Sequence, residues 1–375
     1  MTLTLGILLE YPTLNGGEQS LLAVLDQLTG SIDVTVFAPA TGPVADALRA
    51  RNIAHVPLPD HWRNPEILFQ FLQSDTCNVL HANSLTMSRH LAQVAPQLKC
   101  PCTGHVRDIM KLSASVLSDL RQLNRLICVS NAARAGLVEQ GVDTSRLTIV
   151  HNGIDLQVFR PTERTGWLHR ELGLPSEARL VVNIGQICLR KGLDTFAQVA
   201  VRLASRFNDL HFVHVGERHS TKAESIEYDQ RIDEAFSAAG MQSRWHRLGK
   251  RNDVRDILNE ADLLLHTARQ EPLGRVLLEA SALAVPIVAT NVGGTTEIIE
   301  AGVTGLLAER DDIEGLTNAA TKLLGDRALA IQIGQAARNR SERLFTASRA
   351  ATETLAVWQS AHAADTLSGR HSDSI

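Results

Sequence analysis

The feature that most constrains this chain is an alternation carried through twice. Short runs rich in aliphatic and β-branched residues recur between amphipathic stretches of helical period. The first series holds "LTLGILLE", "VTVFAP", "NVLHANS", "RLICVS" and "LTIVHN", with helical stretches such as Glu18–Leu28 and Asn131–Gln140 between them. The second runs through "RLVVNIG", "HFVHVG", "DLLLHTA", "VPIVAT" and "TGLLAE". Continuous apolar strands spaced by helices build parallel sheets covered on both faces. Ligands of such sheets sit outside the carboxyl ends of the strands. A Pro/Gly-punctuated stretch from Phe159 to Pro175 divides the series and reads as a linker. The expected fold class is α/β, two doubly wound Rossmann-like domains facing a cleft. The expected boundaries are residues 1–165 and 166–345, then a helix over 346–361 crossing back to the first domain. A tail over 362–375, with the polar end "DTLSGRHSDSI", is expected to be disordered.

The length of 375 residues agrees with two domains. At 44% hydrophobic and 21% charged, the chain can build packed cores. Its net charge of -4 and its lack of a Lys/Arg block give no electrostatic case for nucleic acid. Cys77, Cys100, Cys102, Cys128 and Cys188 form no CxxC pair and read as reduced, buried thiols of a cytosolic protein. "MTLTLGILLE" lacks the basic region of a signal peptide, and no apolar run approaches the roughly 20 residues of a transmembrane helix. The expected location is the cytoplasm, with peripheral contact at the inner face of the membrane left open.

Several chemistries lack their motifs. No two glycines are separated by a single residue, so the dinucleotide fingerprint is missing, and so are the P-loop and the GxSxG elbow. No Asp-x-Asp pair, HExxH or Cys/His cluster is present. The chain is expected to hold no tightly bound metal and no cofactor.

What remains points to an anion. In "EPLGRVLLEA", Pro272 pushes Glu271 out of helical conformation and places a helix start near Leu273 to Arg275. That start offers unpaired N–H groups and a positive dipole end, with Glu279 about a turn inside. "GQICLRKG" puts Arg190 and Lys191 in a loop at a strand's carboxyl end. "LNGGEQ" opens the first helix with Gly16 and Gly17, and "NVGGTTEII" sets Glu297 in the first turns of another. Each has a plainer reading: solvated charges, a tight turn, dipole complementarity.

Together these motifs resemble the family 4 glycosyltransferases, retaining and metal-independent enzymes of the GT-B architecture. "CVSNAARAGLVEQGVDTSRLTIVHNGIDLQVFRP" is similar to the family's interdomain segment, including Asn152-Gly153-Ile154-Asp155. "GQICLRKG" is similar to its basic phosphate loop, and "EPLGRVLLEASALAVPIVATNVGGTTEII" to its E-x7-E block with the following Gly-Gly turn. The resemblance spans roughly residues 10 to 300. It implies that Glu271 hydrogen-bonds the donor sugar and Glu279 the ribose. The amides around Leu273 and Gly274, with Lys191 and Arg190, would hold the diphosphate, and the Gly16–Gly17 amides would close on it from the other domain. It implies transfer from a nucleoside-diphosphate sugar to a glycan, lipid-linked or small-molecule acceptor, in glycan or cell-envelope polysaccharide assembly.

Two positions depart from the pattern. Gln186 stands where an arginine is common. Arg107 occupies the place of a histidine, with His105 two residues earlier and able to share its face. Asn83, Ser84 and Asp108 complete the face expected to meet the acceptor. With no evident second carboxylate beside Glu271, same-face substitution is expected rather than a covalent intermediate. The competing readings are a phosphorylase or 2-epimerase of the same architecture, and a catalytically weak sugar-nucleotide-binding protein.

Overall fold

The computed structural model describes residues 2–73 and 77–367. It divides into two compact units, one of residues 1–153 with 347–375 and one of residues 154–346. Each is built on a wholly parallel sheet.

The first sheet holds β1 (Thr4–Leu8), β2 (Asp33–Ala38), β3 (Ala54–Pro57), β4 (Val79–Ala82), β5 (Cys102–Val106), β6 (Arg125–Cys128) and β7 (Leu147–Ile149). Their order is β3-β2-β1-β4-β5-β6-β7. The second holds β8 (Arg179–Ile184), β9 (Leu210–Val215), β10 (Trp245–Arg247), β11 (Leu263–His266), β12 (Ile287–Thr290) and β13 (Leu306–Ala308), ordered β10-β9-β8-β11-β12-β13. In both, strand order reverses beside the first strand, so β1/β4 and β8/β11 are the switch points where doubly wound sheets leave a crevice for ligands.

Three strands lie outside the apolar runs read from the sequence. β3 and β10 are short edge strands with polar or exposed residues, and β5, "CTGHV", carries a glycine and two polar residues. The first helix begins at Gly16 rather than Glu18. A reciprocal capping box explains this: the Asn15 side chain accepts from the Glu18 amide, and the Glu18 carboxylate accepts from the Asn15 amide at 2.9 Å.

The chain leaves the first unit after Gly153, so residues 154–165 belong to the second, and the stretch expected as a linker is tied into it. The Glu260 carboxylate accepts from the Thr165 and Gly166 amides at 2.9 and 3.1 Å, and Asn259 accepts from the Thr162 amide at 3.0 Å. The chain returns at Thr346, which bridges Ile154.

The last helix, Ala347–Leu367, packs its Ala350, Ala351 and Trp358 among Leu5, Ile7, Leu21 and Val36 of the first core. It continues through 362–367, with Asp365 buried, where the sequence suggested a disordered tail. The remainder of that tail, 368–375, lies outside the described residues. Among the described residues, no helix is long and apolar enough to cross a membrane.

Candidate active site at the two switch points

In the second unit, β8 runs into Gly185 and Gln186, then a tight 3-10 turn, Leu189–Lys191. Gly192 ends the turn in the left-handed region (φ +63°), and a Cβ there would sit 2.0 Å from the Thr267 carbonyl. Only glycine lets the basic loop come this close to the exit of β11. Arg269 fixes the same loop from the other side. It grips Asp194 through two 2.7 Å bonds, reaches Asp311 at 2.8 Å, and donates to the Leu189 carbonyl at 3.0 Å. Its amide donates to the Arg190 carbonyl at 2.8 Å.

β11 ends at His266, and a loop then carries Glu271 to the helix Arg275–Ala282. The helix starts where the proline rule placed it, with Gly274 as N-cap in left-handed conformation. Gly294 supports this mouth from below, its amide donating to the Glu271 carbonyl at 2.8 Å. A Cβ at 294 would lie 2.2 Å from the Pro272 carbonyl oxygen.

Glu271 is the centre of the arrangement. Its Oε2 accepts from Lys191 Nζ at 2.5 Å and from His266 Nε2 at 3.0 Å. Burial opposes its ionisation, but the Lys191 charge and the His266 bond outweigh that and hold the carboxyl well below its usual range. His266, fully enclosed, is pushed down by burial against the pull of Glu271, and serves as a neutral donor. Glu279 is buried on the following helix, paired with Arg275 at 2.7 Å. Burial raises its pKa, and Arg275 offsets this only in part. The helix-face ion pair is thus present at this position. Arg190 and Gln186 are half-buried in the basic loop, and Arg190 donates to the Gln270 carbonyl at 3.4 Å. Glu297 sits in the short helix Thr295–Ile298 after the Gly293–Gly294 turn.

In the first unit, the β1/β4 switch point gathers Gly17, Asn83, His105 and Arg107. Arg107 donates to the Asn83 carbonyl (3.2 Å) and side-chain oxygen (2.9 Å), to Asn152 Oδ1 (2.7 Å) and to His105 Nδ1 (3.1 Å). Asn83 Nδ2 reaches the Gly17 carbonyl at 3.3 Å, and a Cβ on Gly17 would lie 3.2 Å from Arg107 Cδ. Gly16 and Gly17 form the first turn of their helix. Of the two candidates, His105 on β5 is therefore the buried support, and Arg107, just past the end of that strand, is the group it supports. Nearby, Glu10 accepts from Ser84 Oγ at the end of β1 and is pushed up by burial.

Sequence reasoning did not single out His266, Arg269 or Glu10, and it met Asn152 only within a longer signature. His266 carried a signal: a histidine closing the strand "DLLLHTA", five residues before Glu271. Arg269 and Asn152 act through partners far along the chain, which no local pattern reveals.

Residues 14–158 match the family described as Glycosyltransferase Family 4, and residues 167–340 match Glycosyl transferases group 1. The chain belongs to this glycosyltransferase family. Among curated relatives of this family 4 chain is the alpha-maltose-1-phosphate synthase of Mycobacterium tuberculosis, 31% identical over 63% of the chain. The chain spans 63% of that relative's length. The UDP-Gal:alpha-D-GlcNAc-diphosphoundecaprenol alpha-1,3-galactosyltransferase of Escherichia coli is 24% identical over 85% of the chain and 87% of that protein. The crystal structure of Anabaena Alr3699/HepE in complex with UDP and glucose superimposes with a TM-score of 0.82 at 19% identity, covering 97% of this chain and 99% of that one. At that identity the likeness concerns the fold, which is GT-B.

Proposed function

We propose that the protein is a retaining glycosyltransferase that moves a sugar from a nucleoside-diphosphate donor to an acceptor hydroxyl in glycan assembly. The observation that carries this reading is the Lys191–Glu271–His266 constellation at the mouth of the helix Arg275–Ala282. A deeply buried carboxylate beside a lysine, at a helix start in a sheet's switch point, suits a ligand bearing both hydroxyls and an anion. Glu271 accepts hydrogen bonds from the sugar hydroxyls. Lys191, Arg190 and the amides around Leu273 and Gly274 receive the diphosphate, and Glu279 takes the ribose while Arg275 holds it. Related proteins agree with this reading: HepE is seen in complex with UDP and glucose, and the E. coli relative is a UDP-Gal galactosyltransferase.

Retention is the outcome the family resemblance implies, and we infer a same-face route to it from the company Glu271 keeps. The groups bonded to its carboxylate are an ammonium and an imidazole, where a double displacement needs a second carboxyl about 5 Å away. The acceptor hydroxyl therefore attacks on the face the diphosphate leaves, through an oxocarbenium-like state, and the departing phosphate oxygen takes its proton. Lys191, Arg190 and the helix dipole neutralise charge building on that oxygen, with no metal required. Gln186, in place of an arginine, removes one cation from this set and Arg190 covers for it. The acceptor face is assigned to Asn83, Ser84, Arg107 and Asp108.

A thermal-shift panel of UDP-, GDP-, ADP- and TDP-sugars tests the reading. A donor at 100 times its dissociation constant stabilises the fold by about 2.7 kcal/mol. No shift with any member would overturn the assignment.

A further inference from the structure

Three buried nitrogens in the first unit have been given no partner so far, one of them on His105 of the site itself. The pairing of His81 with Thr103 across β4 and β5 puts His81, Thr103 and His105 on one face of the sheet. Trp358 of the C-terminal helix covers that face, its ring 5.4 Å from His81, and His81 lies 5.8 Å from His105, both edge to face. His81 Nε2, His105 Nε2 and Trp358 Nε1 are all enclosed by the fold without a protein hydrogen-bond partner.

The other bonds of these rings assign their protons. Arginine can only donate, so the Arg107 bond makes His105 Nδ1 an acceptor and leaves the proton of a neutral His105 on Nε2. Thr103 donates its hydroxyl proton to the Leu80 carbonyl at 3.3 Å, so it accepts from His81 Nδ1–H at 2.9 Å, and His81 Nε2 is a bare lone pair. Burial, together with the nearby Arg107 charge, keeps both histidines neutral, His81 down at about 3. The three nitrogens are thus two N–H donors and one acceptor. A single buried water, accepting from His105 and Trp358 and donating to His81, would satisfy all of them, and three bonds is the usual complement of such a water.

We infer that Trp358, His81 and His105 form one hydrogen-bonded bridge that runs from the C-terminal helix to Arg107 and makes Trp358 a positioning residue for it. The bridge has a purpose because Arg107 has a demanding geometry: its fork must meet Asn83 and Asn152 at once. His105 Nδ1 holds the same terminal nitrogen that serves Asn83. That nitrogen is fixed only while His105 keeps its tautomer, and the tautomer is set by what its Nε2–H finds. The significance for turnover rests on the proposed role of Arg107; the bridge itself does not.

The experiment uses the full chain with 15N-labelled histidine, tryptophan and arginine. Long-range proton–nitrogen correlation in the wild type should show His105 as the Nε2–H and His81 as the Nδ1–H tautomer. Trp358→Phe should move the His81 and His105 ring signals and the Arg107 side-chain signals together. With the donor that gives the largest shift in the panel, Trp358→Phe should lower kcat about tenfold and leave the donor KM within about twofold, a loss of about 1.4 kcal/mol in barrier terms. His105→Gln, which can still accept from Arg107, should stay within about threefold of wild type, whereas His105→Phe should lose as much as Trp358→Phe. The opposite tautomers in the wild type would overturn the bridge. So would unmoved Arg107 signals in a folded Trp358→Phe protein, even if its activity fell, since packing alone would then explain the loss. If no donor binds, the proposed function fails, and the tautomer and Arg107 signals still decide the bridge.

Discussion

The two switch points hold their key cations in different ways. At β8/β11, Lys191 is fixed by a carboxylate, and the loop that carries it is fixed by further ion pairs, Arg269 with Asp194 and Asp311. At β1/β4, Arg107 donates to a backbone carbonyl, two amide oxygens and an imidazole. Paired charges make a site rigid at a high desolvation cost, and removing one member exposes that cost. Neutral acceptors fix direction at lower stake, through geometry. The second unit thus stands to lose more stability than the first when a single member of its site is removed.

The sharpest way to break the comparison is Lys191→Ala. It leaves Glu271 buried beside a neutral imidazole, and we expect a stability loss of about 3–5 kcal/mol with turnover down about 10²–10³-fold. Replacing both Lys191 and Glu271 by methionine should recover most of the stability and none of the turnover. Denaturation curves and initial rates together decide this; an unstable double variant would mean that the pair is not the source of the cost.

Acidification probes the same contrast. His81 in the first unit and His214 in the second are both lowered by burial to about 3, so the unfolded chain binds protons that the fold refuses. Stability from each is complete above the unfolded value near 6.5 and falls by about 1.4 kcal/mol per pH unit on the way down to about 3. Glu271 is lowered as well, so its contribution is complete above the unfolded carboxylate value and begins to fade below about pH 4.3. Urea titrations at stepped pH should show one slope down to that point and a steeper one below it. Lys191→Ala should make the second break smaller without touching the first; what is left of it comes from Asp194, Asp209 and Asp253, whose carboxyls are lowered by their arginine partners.

Backbone contact gives a smaller difference. Gly294→Ala forces a Cβ to 2.2 Å from a carbonyl oxygen and should cost about 1–3 kcal/mol, whereas Gly17→Ala meets a side-chain carbon at 3.2 Å and should cost less than 1. Equal melting temperatures for the two would contradict this reading of the helix mouth. The mildest change is Arg107→Lys. A point charge on a flexible stem cannot reproduce a fork bonded at four positions, so about tenfold in kcat should go with little change in stability.

The sequence was most legible where chemistry is local. The proline before the Arg275–Ala282 helix, the glycines that open turns and the doubled α/β alternation all act within a few residues, and the elements formed where they indicated. β5 was harder to read because Gly104 and two polar residues interrupt its apolar run, although five of its residues are buried. Thr162 and Thr165 looked like linker because their anchors, Asn259 and Glu260, lie far along the chain. Asn152, His266 and Arg269 share that difficulty: each is defined by a partner that only the fold brings near.

The bridge between Ile154 and Thr346 has a consequence for biosynthesis. The second unit is one uninterrupted insertion, entered and left at adjacent points, so nothing it needs for its core is made later. The first unit is in the opposite position. Trp358, wholly enclosed in its core, leaves the ribosome only after all of 154–346 has been translated. The half of the molecule begun first is therefore completed last, and until then an apolar flank of its sheet waits for its cover.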